Sequence, residues 1–454
     1  MTHASLANTW TPHSWQQKRT LQQPTYRDAA ALSGVVTALS KLPPLVVSWE
    51  VDALRERLAA AGRGEAFILQ GGDCAESLDA CSSDRIVSQL KILLQMSLVL
   101  THGLRRPVVR VGRIAGQYAK PRSADTETRD GVTLPCYRGD IVNRPPFDAA
   151  SREPDPELLL RGYERAALTL NFVRSLVDGG FTDLHHPEYW DLDFMKHSPK
   201  YEEYRRITDS LADSLTFFEH ATGRAMADTQ RIDFFASHEG LLLHYEQAQT
   251  RYIQRRGAWY NLATHLPWIG ERTRGLQDGH IEYFRGIANP VAVKVGPTTD
   301  AAYLRDLCRI LNPENIPGRL SLIHRLGAKN VEDKLPGLIH AIRDCGASVV
   351  WICDPMHGNT REGSTGHKTR SYDDVADEVL GFFQVHRSLG TVPGGIHVEL
   401  TGDDVTECVG GTLGVTEDQV GDRYETACDP RLNRSQSLEL AFDVADYLLD
   451  RTPS

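Results

Sequence analysis

The chain has no run approaching the roughly 18 consecutive apolar residues that a membrane span requires. Its first residues, Met1-Thr2-His3-Ala4-Ser5, lack the charged and apolar segments of a secretory signal. No membrane partner is expected, and the expected location is the cytoplasm. Cysteine is sparse, with eight residues in 454 and no C-x-x-C pair, which excludes a disulfide scaffold and the usual structural zinc site. Positive charge is in deficit. Asp plus Glu total 60 against Lys plus Arg 50, a net charge of −10 with a pI near 5.9, the wrong sign for a protein that binds nucleic acid through its phosphates. There is no G-x-x-x-x-G-K-[ST] loop and no G-x-G-x-x-G after a strand, so nucleotide cofactors are not indicated. His238-Glu239 lacks the second histidine of H-E-x-x-H, and His397-Val398-Glu399 lacks the P-C-x-x-C partner of a deaminase.

The composition, 41% hydrophobic and 24% charged, is that of a globular protein with a large core. Past a Pro- and Gln-interrupted N-terminal arm, read as residues 1–62 with one helix around 50–61, short β-type runs recur. They cover 66–70, 107–111, 232–236, 265–269, 291–293, 320–323, 348–352 and 395–398. Each ends in a polar or charged cluster and is followed by a helical or loop segment, as in a parallel α/β sheet. Eight such units predict a (β/α)8 TIM barrel over 63–454. About 120 residues separate the second run from the third. That interval predicts a helical insertion, about 140–228, with one helix over 157–177 capped by Asp155 and stopped at Gly179-Gly180. A second covers 201–221, with Tyr204, Ile207, Leu211, Leu215 and Phe218 on one face. A last helix is predicted over 438–449.

Barrel enzymes carry their chemistry at the C-terminal ends of the strands. There the sequence places two groups of residues. Arg113, Lys120, Arg272, Lys294 and Arg325 are cations from four strand ends, which repel one another unless an anion neutralises them. The mouth is therefore expected to bind phosphates or carboxylates. Cys74, His357, Glu399 and Asp429 are metal-ligand types. The first, seventh and eighth strands become neighbours when a barrel closes, so Cys74 and His357, 283 positions apart (357 − 74), can meet. A thiolate, an imidazole and two carboxylates suit Mn, Fe, Co or Zn better than Ca or Mg. His397 shares the parity of Glu399 but lies nearer the strand start, and a supporting or packing role is expected.

These segments resemble the type II (class II) 3-deoxy-D-arabino-heptulosonate 7-phosphate (DAHP) synthases, from about residue 20 to the C-terminus. The most specific pieces are Gln70-Gly71-Gly72-Asp73-Cys74-Ala75-Glu76, Gly112-Arg113 through Lys120-Pro121-Arg122-Ser123, Trp268-Ile269-Gly270-Glu271-Arg272, Asp354-Pro355-Met356-His357-Gly358-Asn359-Thr360 and Cys428-Asp429-Pro430-Arg431. The resemblance implies condensation of phosphoenolpyruvate with erythrose 4-phosphate, with a divalent metal, Mn2+ or Co2+, on Cys74, His357, Glu399 and Asp429. It implies phosphoenolpyruvate on Arg113, Glu271 (through its backbone N–H), Arg272, Lys294 and Arg325, and the sugar phosphate against Lys120, Arg122 and Ser123. Lys120, Cys74 and His357 are the expected catalytic residues, Lys120 through proton movement or phosphate binding. A homo-oligomer, dimer or tetramer, and a chorismate mutase partner are family expectations. Two alternatives stay open: an amino-sugar acceptor in an aminoshikimate pathway, and a non-catalytic phosphometabolite sensor. Cys74 and Cys428 are expected to lie near each other, where oxidation would join them and expel a metal.

Overall fold

Eight strands form the centre of the computed structural model: β1 (Phe67–Gly72), β2 (Val108–Arg113), β3 (Phe234–Glu239), β4 (Leu266–Ile269), β5 (Val291–Val295), β6 (Leu320–His324), β7 (Val350–Cys353) and β8 (Gly395–Glu399). Each pairs in parallel with the next, and β8 pairs with β1 to close the barrel. The structure describes residues 10–179, 181, 200–222 and 233–449.

The helices, in chain order, are α1 (Ala29–Lys41) and α2 (Ser48–Gly62) before the barrel, then α3 (Ser83–Leu104) between β1 and β2. The insertion after β2 holds α4 (Ala149–Arg152), α5 (Glu157–Asp178) and α6 (Tyr201–Thr222). The remaining βα units carry α7 (Leu243–Ala248), α8 (Gly279–Phe284), α9 (Ala301–Leu311), α10 (Val331–Cys345), α11 (Tyr372–Leu389) and, after β8, α12 (Arg434–Leu449).

Side chains alternate along a strand, so one parity of each strand faces the barrel axis. Ile68, Val109, Val111, Phe235, Leu266, Trp268, Ala292, Ile323, Val350 and Ile352 fill that interior together with Leu54, Leu58 and Ala61 of α2. α2 therefore closes the N-terminal end of the barrel. The opposite parity, including Leu69, Val293, Leu322, Trp351 and Val398, packs under the outer helices in one continuous core. Followed toward the C-terminal ends, the inward parity reaches Arg113, Glu239, Lys294, Asp354, His397 and Glu399. The pleat itself delivers these polar side chains to the mouth.

The strands differ from the sequence reading mainly at their C-terminal ends. β1 continues through Gly71-Gly72, β2 through Gly112-Arg113 and β3 through His238-Glu239. Arg113 is thus the last residue of β2, paired with Gly72, rather than a residue after the strand. Glycines and charged residues look unlike strand in isolation, but ladder pairing inside a closed barrel overrides their propensity.

The N-terminal arm holds two α-helices rather than one. α1 is rich in Ala and Leu, good helix formers, but Ser, Gly, Thr and two Val dilute that propensity. It is secured by Asp28, whose carboxylate accepts the Ala31 N–H, and by packing of Val35 and Leu39 against Leu159, Tyr163 and Leu170 of α5. An antiparallel hairpin, Thr126–Arg129 with Val132–Pro135, precedes the helices of the insertion. In α5 the Asp155 carboxylate accepts the Glu157 N–H at 3.0 Å. α6 packs on α12 through Tyr204 and Phe442, with ring centroids 6.4 Å apart. The side chains of Leu211, Leu215 and Phe218, Gly180 and Ile232 lie outside the described residues. Among the described residues, no helix is long and apolar enough to cross a membrane.

Candidate active site

The C-terminal mouth of the barrel opens onto a cavity of about 340 Å³. All five cations of the sequence reading line it, joined by Arg122, Ser123, Glu271, His357 and Asp429. Cys74, Glu399 and Asp429 offer ligand atoms that all lie within 4.8 Å of one another, and His357 Nε2 is 3.3 Å from Glu399 Oε1. Closure of β8 on β1 brings these four together from loops and strand ends far apart in the chain.

Lys120 stands among the donors. Its Nζ is 2.6 Å from Cys74 Sγ, 2.9 Å from Asp429 and 3.5 Å from Glu399. Burial alone would lower the Lys120 pKa, but Asp429, Cys74 and Glu399 outweigh it and hold the ammonium protonated. Burial likewise opposes charge on Glu399, yet His357, Lys120, Arg370 and Arg113 keep that carboxylate well below its usual range. Asp429 is held low in the same way, with Lys120 the leading cation. The Cys74 thiol is pushed up by burial, by its hydrogen bond with Cys428 and by the neighbouring carboxylates. Its sulfur becomes a thiolate only when further positive charge reaches it. Cys74 and Cys428 are both free thiols.

Arg113 is pinned rather than flexible. It donates to Cys74 O at 3.1 Å, Asp73 O at 3.0 Å and Glu399 at 3.0 Å, and to His397 at 2.7 Å. Its guanidinium lies 5.2 Å from the Trp268 ring centroid. Burial and the neighbouring Lys294 and Arg113 hold His397 neutral, so its Nε2 is an acceptor that orients Arg113; the ring touches the cation rather than the ligand cluster. Lys294 is buried and paired with Asp354. Burial lowers its pKa to about 8 against the opposing pull of Asp354. Arg325 Nη2 donates to His357 O at 3.1 Å, while its Nε is buried without a partner among the described residues. Arg272 donates to Ser123 at 2.8 Å near the rim. Glu271 opens a 3-10 turn, Glu271–Thr273, whose first N–H groups have no partner within the turn.

Four site residues escaped the sequence reading. Asp354 accepts His357 Nδ1–H at 2.7 Å and pairs with Lys294, which turns His357 Nε2 toward Glu399. Arg370 donates to Glu399 Oε2 at 2.8 Å from the opposite side. Lys368 reaches Asp429 Oδ1 at 2.9 Å. Glu239 lines the cavity with Oε1 buried and, among the described residues, unpartnered, and burial raises its pKa against the pull of Lys120 and Lys294. Inward parity at a strand end was the available signal for Glu239 and Asp354. Arg370 and Lys368 follow β7 by many residues and carry no such mark.

A closed parallel barrel whose mouth concentrates this much positive charge belongs with the (β/α)8 enzymes that act on small anionic substrates. The particular family follows from sequence comparison: the profile of the Class-II DAHP synthetase family matches residues 10–445, and the chain belongs to that family. The phospho-2-dehydro-3-deoxyheptonate aldolase of Streptomyces coelicolor is 54% identical over 439 residues, 97% of each chain. The AroG enzyme of that name from Mycolicibacterium smegmatis is 46% identical over 438 residues, 95% of this chain and 93% of its own. The Neurospora crassa enzyme is 44% identical over 454 residues, 96% of this chain and 94% of its own. The activity is DAHP synthesis, a transferase reaction and the first step of the shikimate pathway; the family implies phosphoenolpyruvate and erythrose 4-phosphate as substrates.

Proposed function

We propose that the chain is a divalent-metal-dependent DAHP synthase acting on erythrose 4-phosphate, with Cys74, His357, Glu399 and Asp429 as the metal ligands. The observation that carries this reading is the donor cluster itself. A sulfur, an imidazole nitrogen and two carboxylates converge within a few ångströms, and Lys120 already supplies the positive charge such a cluster demands. The donor set suits Mn2+ or Co2+. When bound, the metal supplies Lewis-acid polarisation of the aldehyde oxygen of the sugar phosphate.

The chain's own residues do the rest. Lys294, Arg325, Arg272, the Glu271 N–H and the pinned Arg113 hold the carboxylate and phosphate of phosphoenolpyruvate. Arg122, Ser123 and Lys120 face the sugar phosphate. Holding both anions in one cavity aligns C3 of the enol ester with the aldehyde carbon, an orientation effect on the order of 7–11 kcal/mol. The new C–C bond leaves positive charge at C2, which water captures; phosphate then departs with C–O cleavage. Lys120, kept protonated by its neighbours, is suited to give a proton to the developing alkoxide. Glu239, with a buried oxygen unpartnered among the described residues, is suited to take one from the attacking water.

The test is phosphate release measured with each component omitted in turn. Release is expected only with both substrates and metal, and to return on adding Mn2+ or Co2+ after chelation. Full activity after thorough chelation sinks the metal assignment. Presenting erythrose 4-phosphate and its amino-sugar counterpart in one assay decides the acceptor. Self-association as a dimer or tetramer belongs to the same reading and is checked by sedimentation.

A further inference from the structure

We propose that Glu378 of α11 is a positioning residue that staples the loop after β6 to the loop after β7, and so sets the spacing between Arg325 and His357. This rests on the reading of Arg325 as a substrate cation and His357 as a metal ligand.

Glu378 is completely buried behind the barrel wall and does not line the cavity. Its Oε1 accepts the N–H groups of Leu326 and Gly327, both at 2.9 Å. These are the two residues that follow Arg325. Its Oε2 accepts Asn359 Nδ2 at 2.9 Å, and Asn359 lies two residues beyond His357. Asn359 is itself locked: Nδ2 also faces Pro355 O at 2.8 Å, and Oδ1 accepts the Ala328 N–H at 3.0 Å. One carboxylate and one amide therefore bind both loops at once.

The loops have little freedom to sit elsewhere. A Cβ on Gly358 would come within 2.7 Å of Gly327 Cα, so the two backbones touch only because both positions are glycine. Arg325 Nη2 completes the crossing through its bond to His357 O. Among the described residues, His324, Cys353 and Glu378 also form a cluster of metal-ligand types. Both Glu378 oxygens, however, already hold three N–H donors, and Cys353 Sγ points to the Glu378 carbonyl at 3.9 Å. The geometry is that of an internal brace.

Glu378→Gln keeps the volume and one acceptor for the two backbone N–H groups, but turns an NH2 against the NH2 of Asn359. Asn359→Ala cuts the same tie from the other side and serves if the first variant does not fold. In both, calorimetry with phosphoenolpyruvate alone and with Mn2+ alone is expected to show each Kd raised on the order of 10-fold. KM for phosphoenolpyruvate should rise in parallel while kcat at saturation falls much less, with the folded fraction unchanged. Kd values within about twofold of the parent, or a fall in kcat with both binding constants unchanged, overturn the staple. Arg325→Ala separates the two readings. If it leaves phosphoenolpyruvate binding intact, the cavity assignment fails; if it weakens binding while Glu378→Gln and Asn359→Ala do not, the staple alone fails.

Discussion

Asp354→Asn is the perturbation with the most specific consequences. Asp354 is completely buried, pairs with Lys294 and accepts His357 Nδ1–H. Asparagine preserves its shape but places an NH2 where Oδ2 was, or an uncharged oxygen in its stead. Breaking a buried pair ordinarily costs about 3–5 kcal/mol because a lone charge is left behind. Here the loss has a ceiling, because Lys294 can shed its proton. Its pKa is about 8, and removing a proton from such a group at pH 7 costs about 1.4 kcal/mol at 1.36 kcal/mol per unit. The charge-related destabilisation of the variant should therefore be near zero at pH 8, about 1.4 kcal/mol at pH 7, and larger at pH 6. The sign follows from Lys294 being a base with a lowered pKa: the parent gains by keeping it protonated only below that value.

Two functional losses accompany it. The cavity loses one cation at neutral pH, so phosphoenolpyruvate binding should weaken about tenfold. The NH2 of the introduced asparagine, donating to His357 Nδ1, would move the ring proton to Nε2, and Mn2+ affinity should drop on the order of 10- to 100-fold. Denaturant unfolding at pH 6, 7 and 8 with calorimetry for both ligands checks all three. A stability gap that does not change with pH, or ligand affinities equal to the parent, would refute the reasoning.

Glu239→Gln should lower kcat by roughly 10²- to 10⁴-fold while leaving phosphoenolpyruvate affinity nearly intact, read by steady-state kinetics beside calorimetry; an unchanged kcat removes Glu239 from the proton chain. Glu50 is pushed up by burial, but His265, the Val47 N–H and Arg174 outweigh that and bring it from 4.5 to about 2. Its contribution is thus present above 4.5 and lost as pH falls toward 2. Glu50→Gln should cost up to about 3 kcal/mol at neutral pH, with the two unfolding curves converging in acid. Gly103 lets α3 meet α12: a Cβ there would stand 2.6 Å from Ala445 Cα. Gly103→Ala should destabilise by about 1–3 kcal/mol through overpacking, visible as a lower melting temperature; a stabilised variant would mean the helices can part at no cost.

The barrel was legible because its strands are short apolar runs separated by helix-length intervals, a pattern with few alternative folds. Their C-terminal boundaries were not, since Gly71-Gly72, Gly112-Arg113 and His238-Glu239 are strand only when a neighbouring strand completes the ladder. α1 was hidden for a related reason: a 13-residue segment whose alanines and leucines are interrupted by Ser, Gly, Val and Thr becomes a stable helix once α5 supplies a surface for Val35 and Leu39. The hairpin at 126–135 has only a short apolar alternation, Val132 and Leu134, and its residues are largely exposed; its readable signal was the two-residue Asp130-Gly131 turn, both residues at positive φ.

The sequence by itself determined which chemical types reach the mouth. Strand parity is a local property, so Lys294 shares a face with Ala292, Glu399 with His397, and Arg113 with Val109 and Val111, wherever their strands are placed. What only the tertiary structure decided is who meets whom. Barrel closure sets Cys74 beside Asp429, Lys120 between them, Asp354 behind His357 and Glu378 behind both loops. Those pairings fix which groups carry charge, because a buried group's ionisation is set by its spatial neighbours and its distance from water. An acidic chain thus presents a cationic mouth, a charge inversion that parity begins and closure completes.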